Sequence, residues 1–213
     1  MSIRKRNKLV QGVGINDADY LTRIVEYPVD RPPVVRRCPY YVDWTSVLHR
    51  CYSNYKINIF PTYEDCEVIE EWKYFSNFRK WVDSQPNRDW QNCVLDKDLL
   101  LTGNKIYSPE TCVYIPEKVN GFLISRTNDR GDYMLGVGVE KRNKTLTYRA
   151  RCNNPINGKY ECLGYFLTEL EAHKAWQAKK HEHALRLAEE QQDPRVAKAL
   201  RERYAPDKDW TNK

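Results

Sequence analysis

The chain has 213 residues, enough for one large domain or two small ones, and 41% of them are hydrophobic and 12% aromatic. That supply of core-forming side chains excludes a broadly disordered chain. The formal net charge of +6 suits a polyanionic partner without requiring one.

No run of about 18 apolar residues is present, which excludes a transmembrane helix. The basic start MSIRKRNKLVQGVG has no apolar run behind it and does not read as a secretory signal. The seven cysteines are an odd number without tandem CxxC spacing, which fits a reducing compartment, so the expected location is the cytoplasm.

In chain order, residues 1–37 read as a basic extended arm. Arg4, Lys5, Arg6 and Lys8 open it, Pro28, Pro32 and Pro33 extend it, and Arg36 and Arg37 close it. Such an arm either follows a phosphate backbone or packs loosely as a solvated tail. From Tyr41 to Tyr52 the residues Trp44, Val47, Leu48 and Cys51 repeat at three and four, the spacing of an amphipathic helix. A second helix fits Tyr74 to Val82, with Phe75, Phe78, Trp81 and Val82 on one stripe, and a short strand fits Cys66 to Ile69 between them. Val94 to Leu101 predicts a strand, Gly103-Asn104 a turn, and Ile106-Tyr107 and Cys112 to Ile115 the returning strands. Pro116 then stands at the first turn of a helix that continues to Leu123. The polar stretch Ser125 to Asp132 predicts the domain boundary.

Beyond it, three short strands fit Leu135–Lys141, Thr147–Asn153 and Lys159–Phe166, turned at Asn143-Lys144 and Asn157-Gly158. Thr168 with Glu171 predicts a capping box at the head of a long helix, and Asp193-Pro194 starts another, running to about Tyr204. The tail from Ala205 is expected to fray. The resulting fold class is α+β. It has a central hairpin-and-helix module over 38–124, then a three-stranded antiparallel sheet packed on a long helix over 130–192, and a C-terminal helix and tail over 193–213.

Alternation in the middle strand sends Tyr148, Ala150 and Cys152 toward the helix and Arg149, Arg151 and Asn153 away from it. Gly138, Glu140 and Arg142 join the outer face from the first strand, and Tyr160 and Cys162 from the third, with Lys159 beside them. Arginine, asparagine and tyrosine on one face suit phosphate contact, base-edge hydrogen bonding and stacking on double-stranded DNA, although a plain solvated sheet face has the same alternation.

Gly136-Val137, Tyr148-Arg149-Ala150, Asn154-Pro155, Leu163-Gly164-x-Phe166 and the helix start Thr168 to Trp176 together resemble the Apetala-two/integrase-type DNA-binding domain. The resemblance implies a sheet laid into the major groove. Gly138 and Glu140 depart from that family's frequent arginines and Cys162 from its frequent tryptophan, so no sequence preference transfers.

The central segment carries Trp44-x-x-x-Leu48-x-Arg50-Cys51-Tyr52, Cys66-x-Val68, Trp72-x-x-Phe75-x-x-Phe78, Leu95-Asp96-Lys97-Asp98, Gly103-Asn104, Tyr107-Ser108-Pro109-Glu110-x-Cys112 and Asn120. In order and spacing these resemble phage-type HNH endonuclease-like proteins. The resemblance implies a divalent magnesium or manganese ion held by Asp96 and Asn120, a hairpin shaped by Asn104, and Lys97 at the position of the general-base histidine. A lysine of ordinary pKa is a poor base at neutral pH, and no histidine lies between residues 50 and 172. The expectations are therefore a degenerate metal-dependent endonuclease, a catalytically silent DNA-binding regulator, or a protein-binding factor acting on a host enzyme. Cys38, Cys51, Cys66 and Cys112 pose a separate question, either a structural zinc site or buried free thiols. His181 and His183 read as surface residues of the long helix.

Overall fold

Pro39 suits the first position of a helix, where its missing N–H costs nothing, and helix α1 spans Pro39–Tyr52. Its apolar stripe buries Trp44, Val47, Leu48 and Cys51, as their spacing predicts. The structure is a computed structural model that describes residues 9–87, 89–124, 132–142 and 145–210, with the side chains of Arg142 and Thr145 outside that description. The fold is α+β, and the chain divides into two compact units, Met1–Tyr114 and Ile115–Lys213. No helix among the described residues is long and apolar enough to cross a membrane.

In the first unit, α1 is followed by the short helix α2, Asn54–Ile59, and by α3, Phe75–Asp83, which buries Phe75, Phe78, Trp81 and Val82. The core is aromatic. Trp72 meets Phe78 edge-on with centroids 5.1 Å apart, and Trp44 Nε1 donates to the Trp72 carbonyl at 2.7 Å, so a polar indole is satisfied inside the core.

The stretch expected to be a basic extended arm has several parts. Residues 1–8, with Arg4, Lys5, Arg6 and Lys8, lie outside the described residues, but the segment after them is no loose tail. Val10, Val13, Ala18 and Tyr20 pack against the aromatic core. A Cβ on Gly14 would stand 2.3 Å from Leu48 Cδ1, so only glycine lets the backbone come this close. Ile15 bonds to Lys73 and Phe75 through the backbone, and the Asp17 carboxylate accepts from Ser76 N at 2.8 Å and Ser76 Oγ at 2.5 Å at the start of α3. Dispersed apolar residues dock this segment, a weaker sequence signal than the arginines around them. Residues 23–37 form an antiparallel ribbon of β1, Arg23–Glu26, and β2, Val34–Arg37.

Short strands complete the unit. β3, Glu67–Val68, runs parallel to β5, Ile106–Tyr107, while β4, Cys93–Asp96, pairs with β6, Val113–Pro116. The strand predicted to reach Leu101 stops at Asp96. The Asp96 carboxylate takes the N–H groups of Asp98 at 2.9 Å and Leu99 at 2.6 Å, which turns the chain out of the sheet.

In the second unit, α4, Glu117–Leu123, groups with the C-terminal helices rather than with the hairpin before it, so the division comes earlier than the polar stretch 125–132 suggests. Phe122 meets Tyr204 edge-on at 5.6 Å, and the Lys180 ammonium lies 3.7 Å from the Phe122 ring centroid and donates to the Phe122 carbonyl at 2.6 Å. Burial pulls the Lys180 ammonium down to about 8. The sheet has the order β7, Val137–Arg142, then β8, Thr145–Asn153, then β9, Tyr160–Phe166, all antiparallel. Its inner face packs Val137, Ala150, Tyr148, Leu163 and Phe166 with Ala172 and Ala175 of α5, Glu169–Glu189, whose start carries the Thr168–Glu171 capping box.

Gly136 has φ +77°, and a Cβ there would fall 2.0 Å from Trp176. Asp193 caps α6, Pro194–Arg203. The described part of the tail, residues 205–210, is pinned rather than frayed. Gln177 Nε2 donates to the carbonyls of Ala205 and Lys208 at 2.9 Å each, and Trp210 stacks on Tyr204 at 4.8 Å. His183 is also corrected: it is fully buried on α5, with Nε2 3.6 Å from a Glu161 carboxylate oxygen.

Candidate nucleic-acid interface

The register of β8 decides which side chains share the outer face of the sheet. Gly138 pairs with Arg149 and Arg149 with Tyr165, while Arg151 pairs with Cys162 and Asn153 with Tyr160. Directly paired residues point to the same side. Ala150 and Cys152, on the other side, are buried at 0% and 1% exposure. Arg149, Arg151, Asn153, Tyr160 and Cys162 are thus brought together as expected. Tyr165 joins them and was missed, because the pairing skips Leu163 between Ala150 and Arg151. This bulge shifts the alternation of β9 by one residue. Only the Leu163-Gly164 step hints at it in sequence.

The electrostatics of this face are uneven. Arg149 Nη1 donates to Glu140 Oε2 at 3.3 Å, so part of its charge is answered within the sheet. Arg151 lies over the Tyr160 ring at 5.4 Å and forms no ion pair among the described residues. A guanidinium held against an aromatic face is oriented without losing its donors. Tyr160 is 71% exposed. Lys159 lies at the turn, where its N–H bonds to Asn157 Oδ1 at 2.9 Å and its side chain is exposed. Gly138 leaves open space on the face. The Arg142 side chain and the turn at 143–144 lie outside the described residues.

The hairpin residues are built differently. Lys97 is buried, and its Nζ donates to the Asn104 carbonyl at 2.5 Å and to Asp98 Oδ1 at 2.8 Å. Asn104, also buried, donates from Nδ2 to the carbonyls of Lys97 at 3.0 Å and Ile106 at 2.6 Å and accepts from Ile106 N at 3.1 Å. The loop 97–104 is thereby closed by the two side chains expected to serve the site. One Asp96 oxygen is committed to the turn that ends β4. Asn120 lies half-buried in α4 of the second unit, and Asp96 belongs to the first.

The four cysteines do not act as a set. Cys38 Sγ lies 3.3 Å from Tyr20 Oη, and Cys66 Sγ approaches the Thr62 carbonyl. Cys51 and Cys112 are buried thiols that burial pushes up to about 12. Among the described residues no three His, Cys, Asp or Glu side chains group to hold a metal ion. The four cysteines therefore supply no such group for zinc among the described residues, and the pair expected to hold a divalent ion is one carboxylate, Asp96, and one amide, Asn120.

Comparison with protein-family models, curated proteins and solved structures gave no match to this chain.

Proposed function

We propose that this protein binds double-stranded DNA through the outer face of the β7–β8–β9 sheet and acts as a catalytically silent DNA-binding protein in the cytoplasm of a bacterial host cell. The observation that carries this reading is Arg151, exposed, without an ion pair among the described residues, and oriented over Tyr160 on a face that also presents Arg149 and Asn153. A twisted strand ribbon fits the major groove, where guanidinium groups reach phosphate oxygens or the O6/N7 edge of guanine and asparagine reaches adenine. The resemblance to Apetala-two/integrase-type domains agrees with this docking mode.

What supports silence rather than cleavage is Lys97. The resemblance to phage-type HNH endonucleases sets this residue at the general-base position, yet its ammonium is spent on closing the loop 97–104. A base must reach the water it activates. Asp96, the expected first metal ligand, likewise has one carboxylate oxygen committed to the turn that ends β4.

The test is fluorescence anisotropy with short labelled duplexes across a salt series. Arg149→Ala/Arg151→Ala is expected to bind more weakly and to lower the slope of log affinity against log salt by about 1.8, roughly 0.9 for each phosphate released. Circular dichroism checks that the variant is folded. Unchanged affinity and slope in a folded variant overturn the reading.

A further inference from the structure

We infer that the β1–β2 ribbon, residues 23–37, is a second, sequence-independent grip on the phosphate backbone of duplex DNA. The ribbon is rooted in the first unit. Cys38 N donates to the Thr22 carbonyl at 2.9 Å, Thr22 is buried, and Tyr20 Oη contacts Cys38 Sγ. Beyond that root it is open to solvent on both faces: every residue of β2 is exposed, as are Arg23, Ile24 and Glu26 of β1. A two-stranded ribbon standing alone in water is marginally stable, so its side chains should at least avoid repelling one another.

Its cross-strand pairs do the opposite at one place. Ile24 pairs with Arg36 and Val25 with Val35, and Arg36 is answered by Glu26 at 3.2 Å. Arg23, however, pairs directly with Arg37. Neither of these two arginines has an ion pair among the described residues, and both are exposed. Like charges directly opposite in an antiparallel pair are destabilising. Two arginines paired in register on one face, neither with an ion pair among the described residues, concentrate positive charge that an anion can answer. A phosphate group is an anion whose oxygens a guanidinium can match bidentately. Arg31 adds a further cation in the turn, where Tyr27 and Val29 are 78% and 99% exposed.

The inference rests on the reading that the chain binds DNA, but it uses different residues in the other unit. A structural role and a phosphate-binding role for this pair predict opposite responses to Arg37→Glu. The substitution turns a repulsive cross-strand pair into an attractive one, so the ribbon should be at least as stable as before. The phosphate grip should nevertheless be lost, since one cation is removed and the other neutralised.

The experiment measures thermal melting of the full chain and its binding to several unrelated duplexes across a salt series. The chains compared are wild type, Arg37→Glu, Arg23→Lys/Arg37→Lys and Arg149→Ala/Arg151→Ala. The expected result for Arg37→Glu is an unchanged or raised melting temperature, a salt slope lower by about 1.8, and weakening by a similar factor on every duplex. The Arg23→Lys/Arg37→Lys chain should keep nearly the full slope. If Arg37→Glu binds with wild-type affinity and slope while the sheet variant loses binding, the ribbon inference is overturned and the sheet reading stands. If the sheet variant binds normally and Arg37→Glu does not, the ribbon inference stands and the sheet reading falls. If wild type binds no duplex, both fall, and the exposed ribbon is left to a protein partner. A lowered melting temperature in Arg37→Glu with full DNA affinity overturns the inference as well.

Discussion

Asn104→Ala separates a structural role for the hairpin loop from a chemical one. The Asn104 side chain makes three hydrogen bonds, two donated to the carbonyls of Lys97 and Ile106 and one accepted from Ile106 N. A net value of about 1 kcal/mol per bond gives an upper figure of about 3 kcal/mol. The Ile106 carbonyl keeps a second donor, Thr111 Oγ1 at 2.7 Å, and Ile106 is an exposed residue, so its backbone regains partners. The Lys97 carbonyl is left without the Asn104 amide. The expected cost is therefore about 2 kcal/mol. Lys97→Met should cost less, about 1 kcal/mol, because losing the bond to the Asn104 carbonyl is offset by removing a desolvated ammonium, and the bond to half-exposed Asp98 contributes little. Guanidinium denaturation followed by tryptophan fluorescence measures both, since Trp44, Trp72, Trp81 and Trp90 all lie in the first unit's core. Trp176 and Trp210 of the second unit are fitted as a separate transition. A loss below about 0.5 kcal/mol for Asn104→Ala, or a larger loss for Lys97→Met, refutes the view that these residues lock the loop.

Three other outcomes are expected. Gly136→Ala should destabilise the second unit by about 2–5 kcal/mol, combining a left-handed backbone with a Cβ driven into Trp176, and near-ultraviolet circular dichroism should show the loss of that tryptophan's packing. His183 is held below its ordinary pKa of 6.5, first by burial, although Glu161 opposes the shift. As pH falls below 6.5 the unfolded chain takes the proton first, so stability drops until the folded pKa is passed. In His183→Gln that acid-induced drop in melting temperature should shrink. Supercoiled plasmid incubated with magnesium or manganese should stay supercoiled with wild type and with Lys97→His, because the site at 97 faces the loop interior. Relaxed plasmid that disappears with Asp96→Ala would assign chemistry to the hairpin after all.

The elements that could be read from sequence are those with a period. The spacing of Trp44, Val47, Leu48 and Cys51 marks one face of α1, and the alternation of Tyr148, Arg149, Ala150 and Arg151 marks the two faces of β8, because helix and strand geometry write those periods into the chain. The features that stayed hidden are set by contacts distant in sequence. Docking of residues 9–22 depends on Leu48 and Lys73, neither of which is local. Lys97 stands between two aspartates at the position read as a general base, yet a carbonyl seven residues on draws it inside. His183 is flanked by charge at Lys179 and Glu182, but α5 is covered on more than one side, by the sheet and by α6, which widens its buried face beyond the usual stripe. The bulge in β9 moves Tyr165 onto the outer face through a single skipped pair, a one-residue event that no period announces.

The distribution of reachable charge also decides which part of the chain could meet a polyanion if the proposed reading holds. A cation contributes to binding only if it can be desolvated against the ligand without abandoning a better partner. Lys97 fails that condition: its side chain is 8% exposed and holds two acceptors of its own loop. Arg149 meets it in part, since moving toward a phosphate releases Glu140 into water at a half-buried site where the 3.3 Å pair contributes modestly. Arg151 meets it fully, as do Arg23 and Arg37, whose mutual repulsion a phosphate relieves. Lys97 therefore offers no cation to a polyanion, and on the proposed reading the two β-surfaces that present unanswered guanidiniums are where contact with DNA is expected.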